Sequence, residues 1–178
     1  MTGIKKPFWE ESYKRPGKLD TFGGGKPNET VVRAAAMLPT GTRALDMGCG
    51  EGRNALYLAG LGFQTSAFDI SVSGIEKLSQ MAVEIDLTVD VSVCDMREYE
   101  FPHEFDLIVC QGCLHLIERD EWKKLIKRMK EFTSCGGYHI TGVFTDTVPE
   151  PEDQRGLMVG LFKEGELFIE YRDWEIIE

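Results

Sequence analysis

The chain has 178 residues, with 30 acids against 20 bases and a formal net charge of −10. That length favours one domain with a real hydrophobic core, and the negative sign argues against non-specific nucleic-acid binding and against an anionic membrane surface, both of which need basic surface. No stretch approaches the roughly 20 apolar residues of a spanning helix, and the start MTGIKKPFWEESY lacks the apolar centre of a secretory signal, so the expected location is the cytoplasm.

Residues 1–28 are polar and aromatic, with Pro7, Pro16, Pro27 and the run Gly23-Gly24-Gly25. They read as an N-terminal arm or lid with one short helix around FWEESY, ahead of a main domain over 29–178. Asn28 is placed to cap a helix from Glu29 to Leu38, which Pro39-Thr40-Gly41 breaks. The pattern then alternates: strand ALDM, helix NALYLAGLG, strand QTSAFDI, helix GIEKLSQMAVEI opened by Ser71 or Ser73, and strand LTVDVSVCD. The run FDLIVC is apolar at nearly every position, as in a strand covered on both faces. A helix WKKLIKRMKEF and a strand YHITGVF follow. In that helix Trp122, Leu125, Ile126, Met129 and Phe132 form one stripe for packing on the sheet, with the basic residues opposite. Strands separated by helices predict an α/β fold, a Rossmann-like, mostly parallel sheet with helices on both faces.

In such sheets ligands bind at the carboxyl ends of the strands. The first strand ends Asp46-Met47-Gly48-Cys49-Gly50-Glu51-Gly52-Arg53. The spacing is GxGxG, not the GxGxxG of dinucleotide folds, and Asp46 precedes the first glycine by two residues. A carboxylate there repels a pyrophosphate and attracts a cation, which suits a phosphate-free sulfonium cofactor, S-adenosylmethionine, better than NAD. Asp69 follows about 20 residues after the loop, where an acid accepts from ribose hydroxyls; it serves equally well as a helix-capping residue, alone or with Ser71. Asp95 and Met96 end the third strand and Gln111 and Gly112 the fourth, at the same rim.

These residues together resemble the class I S-adenosylmethionine-dependent methyltransferases over residues 40–145. A narrower similarity, carried by LDMGCGEGRNALYLA, CGGYHI and FKEGEL with Tyr171 and Trp174, is to the tellurite-resistance and thiopurine methyltransferase group. The resemblance implies S-adenosylmethionine as cofactor. By position it gives Gly48, Cys49 and Gly50 the methionine and ribose parts, and Asp46 the amino-acid end. Asp69 takes the ribose hydroxyls, Ile70 and Met96 the adenine faces, and Asp95 its edge. Gln111 and Gly112 border the methionine, Arg53 reaches the cofactor carboxylate or Glu51, and Trp9 and Tyr13 lie on an arm folded over the site.

The fold of that class usually ends in an antiparallel hairpin. Here the text stops at WEIIE, which would supply its first arm alone, so the C-terminal hairpin is expected to be incomplete. A shortened chain, a reduced sheet or completion by a partner would each account for this. The strand YHITGVF is then an open edge, a route to homo-oligomers.

Cys110-Gln111-Gly112-Cys113 is a CxxC followed by His115, but no second ligand pair accompanies it, so no metal site is expected and Cys110 reads as a core residue. An odd total of five cysteines argues against a disulfide framework. His115 and, secondarily, Tyr13 are the candidate catalytic groups, His115 standing as either a general base or a rim histidine. The expected activity is methyl transfer from S-adenosylmethionine to a small molecule, a soft nucleophile such as a thiol or chalcogen oxyanion. The alternative is a cofactor-binding protein without turnover of its own, a sensor or a subunit completed by a partner. The acidic stretch from Asp146 to Glu152 is a candidate substrate lid.

Overall fold

A computed structural model describes residues 8–16, 19, 21–147, 149, 152 and 156–177. Five strands form one parallel sheet in the order β3-β2-β1-β4-β5, with β1 Arg43–Met47, β2 Gln64–Asp69, β3 Asp90–Val93, β4 Phe105–Gln111 and β5 Thr133–Gly142. The helices are α1 Phe8–Tyr13, α2 Glu29–Ala35, α3 Arg53–Gly60, α4 Val72–Glu84, α5 Arg119–Glu131 and α6 Glu166–Glu170. Side chains alternate across the strands, as period two requires. Leu45, Met47, Ile108 and Cys110 pack with the α5 residues Trp122, Leu125, Ile126 and Met129. Ala44, Leu107 and Val109 pack on the other face with Val31, Ala35 and Leu58.

The helix starts follow from local chemistry. The Asn28 side chain accepts from the Thr30 amide at 2.9 Å, and Ser71 Oγ accepts from the Gly74 amide at 3.0 Å. The helix α3 has no such cap at Gly52. The Asp46 carboxylate serves instead, accepting from the Ala55 amide at 3.1 Å. Strand β1 and the helix after it are thereby tied together beneath the glycine loop.

Strand β5 is an edge of the sheet, as is β3, and it stops at Gly142, two residues short of the expected Phe144. The expected strand at WEIIE is not formed: Trp174 to Ile177 lie outside regular structure. A strand needs a neighbour to pair with, and here the tail is drawn instead onto a side-chain cluster. Tyr171 and Trp174 pack on His139, with Trp174 4.4 Å from the imidazole by ring centroids. Thr133 Oγ donates to the Met129 carbonyl at 2.6 Å, so it accepts from His139 Nε2–H at 2.7 Å, and Nδ1 accepts from the Tyr171 hydroxyl at 2.8 Å. Burial and the neighbouring Lys130 push the pKa of His139 down to about 3, which keeps it neutral in this chain of bonds.

Candidate cofactor and acceptor site

A cavity of about 760 Å³ opens at the carboxyl ends of the strands. Its floor is the glycine loop, where Gly48, Gly50 and Gly52 have φ of 64°, 56° and 82°, conformations that favour residues without a Cβ. Space excludes side chains as well. A Cβ on Gly48 would meet Cys113 Sγ at 2.9 Å, and one on Gly50 the Tyr13 hydroxyl at 2.6 Å.

The Asp69 carboxylate holds this loop in place. Its Oδ2 accepts from the Gly50 amide and its Oδ1 from the Ser71 amide, each at 2.8 Å. Burial raises its pKa, against the pull of these amides. Each oxygen keeps a further lone pair for a ligand hydroxyl, so capping and ligand binding are compatible. Ile70 beside it is 60% exposed and faces the cavity. Asp95, chelated by Arg97, lines the same cavity with Met96, as do Gln111 and Gly112 from the end of β4.

The N-terminal arm roofs the cavity. Glu10 of α1 accepts from the hydroxyls of Ser71 and of Ser73, the latter at 2.7 Å. Trp9 and Tyr13 thereby reach the lining. The Thr21 amide donates to Glu51 at 2.9 Å, and Glu51 forms a buried ion pair with Lys77. Glu51 is therefore not the partner expected for Arg53, whose guanidinium donates to the Lys26 carbonyl at 3.0 Å and so also secures the arm.

Other expected roles change. Asp46 is 1% exposed and occupied by the Ala55 amide; burial raises its pKa to about 7. It shapes the floor rather than presenting a free charge. His115 is fully buried and is not among the described residues that line the cavity, so it does not stand at the rim as expected. Its Nδ1 accepts from the Phe144 amide at 3.3 Å, and burial lowers its pKa to about 4. Burial, with Asp69 and Glu51 nearby, pushes the Tyr13 hydroxyl far above its usual range, so it sits as a neutral roof over Gly50 and not as a base. Cys110 lies in the core and Cys113 between core and cavity floor, both as free thiols.

A second wall escaped the sequence reading. Leu116 follows β4, Val143 and Phe144 follow β5, and Leu157 and Val159 return beside them. The returning segment is pinned by the Gly160 amide on the His115 carbonyl at 3.1 Å and by the Trp122 indole on the Gly160 carbonyl at 3.0 Å. Of the expected acidic lid, residues 148, 150 and 151 lie outside the described residues. Among the described residues no cluster of His, Cys, Asp or Glu fits a metal ion, and no helix is long and apolar enough to cross a membrane.

A parallel sheet in this strand order, with a glycine loop after β1 and an acid after β2, has the architecture of the S-adenosylmethionine-dependent methyltransferases. The chain belongs to the family described as tellurite resistance protein TehB, whose model matches residues 22–178. It is 30% identical over 167 residues to the probable S-adenosyl-L-methionine-dependent methyltransferase TehB of Haemophilus influenzae, covering 90% of this chain and 57% of that protein. The crystal structure of TehB from Haemophilus influenzae superposes with a TM-score of 0.76 at 32% identity, over 85% of this chain and 52% of that one. A TehB-like methyltransferase from Corynebacterium glutamicum shares the fold, with a TM-score of 0.61 at 23% identity, over 80% of this chain and 70% of that one. The chain thus spans little more than half the length of the Haemophilus protein.

Proposed function

We propose that the protein binds S-adenosylmethionine at the glycine loop and transfers its methyl group to a small-molecule acceptor, a soft nucleophile. The observation that carries this reading is the convergence of all five strand ends on one cavity. The glycine loop, Asp69, Ile70, Asp95 and Met96 meet there over β1, β2 and β3, while β4 and β5 contribute a separate wall.

The residues fit the cofactor. The backbone at Gly48 to Gly50 admits close approach, Asp69 retains acceptor capacity for hydroxyls, and the exposed face of Ile70 offers an apolar surface for a base. Asp95 and Met96 flank that surface. Bound there, the cofactor supplies a methyl carbon activated by a sulfonium. The chain's own work is alignment and exclusion of water, through the arm held by Glu10 and Arg53. With His115 buried and Tyr13 held neutral, the cavity offers little base catalysis, which suits an acceptor that is already nucleophilic.

Calorimetric titration with S-adenosylmethionine and S-adenosylhomocysteine tests the reading. Micromolar binding is expected, lost in Asp69→Ala and weakened roughly tenfold in Ile70→Ser. The second variant alters an exposed side chain, so it separates ligand contact from loop collapse. Unchanged affinity in both variants refutes the placement of the cofactor.

A further inference from the structure

Resting on that cofactor placement, we propose that Arg97 is a specificity-determining residue: paired with Asp95, it sets a donor beside an acceptor at the purine end of the cavity, and this pair admits a 6-amino purine while rejecting a 6-oxo purine.

The pair is held in a fixed geometry. The Arg97 guanidinium lies side-on to the carboxylate, with Nε donating to Oδ1 at 2.9 Å and to Oδ2 at 3.1 Å, and with Nη2 on Oδ2. The Arg97 amide donates to Oδ1 at 2.9 Å. The guanidinium is half exposed, and an ion pair so open to water contributes little to stability. The turn that carries it is nevertheless tied on several sides. The amides of Glu98 and Tyr99 donate to the Asp95 carbonyl at 2.9 and 3.1 Å. Arg128 of α5 reaches across to the Arg97 carbonyl at 3.4 Å and to the Tyr99 carbonyl. The Tyr99 ring stacks on Phe68 at 4.1 Å, one residue ahead of Asp69.

The hydrogen bonds already made define what is left for a ligand. A carboxylate offers about four acceptor positions, two on each oxygen. On Asp95, Oδ1 is filled by the Arg97 amide and Nε, while Oδ2 takes Nη2 and a share of Nε and keeps room for a further donor. The Arg97 side chain also holds the Asp95 carboxyl below its ordinary range, so at neutral pH it is an acceptor alone. The guanidinium keeps Nη1, which makes no hydrogen bond among the described residues. Asp95 and Arg97 both line the cavity, so a ligand edge meets an acceptor and a donor together.

Adenine presents the matching pattern, an amino donor beside a ring-nitrogen acceptor. A 6-oxo purine puts an acceptor where adenine has its amino group, and a donor at N1 where adenine has an acceptor. A carboxylate alone separates these two poorly, since it takes the amino proton of one or, after a small shift, the N1 proton of the other. A guanidinium fixed beside it opposes that shift, because the N1 proton then faces a donor. With the ribose held at Asp69, the base cannot turn over to exchange the two groups. Such rejection by unmatched polar groups is strong.

Calorimetry on the full chain with S-adenosylhomocysteine and its 6-oxo counterpart S-inosylhomocysteine tests this. Wild type is expected to bind the adenine compound tighter by roughly a hundredfold. Arg97→Met keeps the length and removes the donors, and the preference should fall roughly tenfold or more. Arg97→Lys keeps one charged donor without the fork and should lie between. A thermal melt shows whether each variant is folded, and if Arg97→Met is not, Arg97→Lys decides. Wild type that binds both compounds alike overturns the proposal. So does a preference unchanged in the folded variants, including the case in which both affinities fall together, for the arginine then only seats the turn. Failure of wild type to bind S-adenosylhomocysteine at all is a different result: it removes the cofactor placement, and the inference with it.

Discussion

Gly74→Ala sets two effects of similar size against each other, and the structure says which prevails. Gly74 lies in the first turn of α4, where alanine improves helix propensity by about 1 kcal/mol. Yet a Cβ there would stand 2.8 Å from the Gly50 carbonyl oxygen, 3.1 Å from its carbon and 3.2 Å from the Tyr13 ring. The nearest atoms are backbone, and that backbone is tied down: the Gly50 amide is held by Asp69 and the Cys49 amide by the Phe68 carbonyl at 3.0 Å. Relief must come from separating α4 and the loop by a few tenths of an ångström, at a cost of about 1–3 kcal/mol for overpacking. The net stability loss is therefore about 0–2 kcal/mol, a fall of a few degrees in Tm. Binding should suffer more. The same shift displaces the Gly50 amide and the Asp69 carboxylate together, and affinity for S-adenosylhomocysteine should fall roughly tenfold or more. Calorimetry and a thermal melt on one preparation decide it. A variant that melts higher than wild type and binds within about twofold would show that helix propensity governs and that the loop has slack.

The buried pair of Glu51 and Lys77 makes a second case: Lys77→Met strands a buried carboxylate and should cost about 3–5 kcal/mol in urea unfolding. Adding Glu51→Gln should restore much of that, and a single-variant loss below about 1 kcal/mol would mean the pair is hydrated. The third concerns acid. His139 is held at about 3 in the fold against an ordinary 6.5, so its contribution is complete above pH 6.5 and drains away as the pH falls towards 3. Asp46 and Asp69, raised by burial, act in the opposite sense, so the informative quantity is wild type minus His139→Gln. Between pH 7 and 4 the wild type should lose on the order of 3 kcal/mol more than the variant. Parallel curves would show that His139 titrates as an exposed histidine does.

The sheet was legible because each strand carries its own evidence: FDLIVC is apolar on both faces, and the caps Asn28 and Ser71 stand where their helices begin. The glycine loop and Asp69 were legible because ligand chemistry and local geometry demand the same residues. The roles of His115 and Arg53 were not. Sequence places His115 just past a strand end, a rim position, but whether it faces the cavity depends on the Phe144 amide, 29 residues away. Arg53 follows the loop beside Glu51, but Glu51 pairs with Lys77 and the guanidinium holds a backbone carbonyl on the arm, 27 residues away. The close approach at Gly74 left no mark, since a glycine in a helical pattern reads only as a weak helix former. WEIIE has strand composition, but composition cannot supply a neighbouring strand, and Trp174 finds the ring of His139 instead.

The wall that escaped the sequence reading lies over β4 and β5 for a physical reason. The half over β1, β2 and β3 presents mainly backbone to the cavity: loop amides, glycines without Cβ, and one carboxylate that also fixes the loop. Such a half leaves a short, dense trace in sequence, because few residues satisfy the geometry. The half over β4 and β5 presents side chains to the cavity from three separated segments, near residues 116, 144 and 159. Almost any apolar residue of suitable size builds that wall, so no spacing announces it. Chains that share the first half can then differ in the second without disturbing the sheet. Similarity through the glycine loop therefore bears on the cofactor far more than on the acceptor. The acceptor of this chain has to be argued from the side chains of that wall themselves.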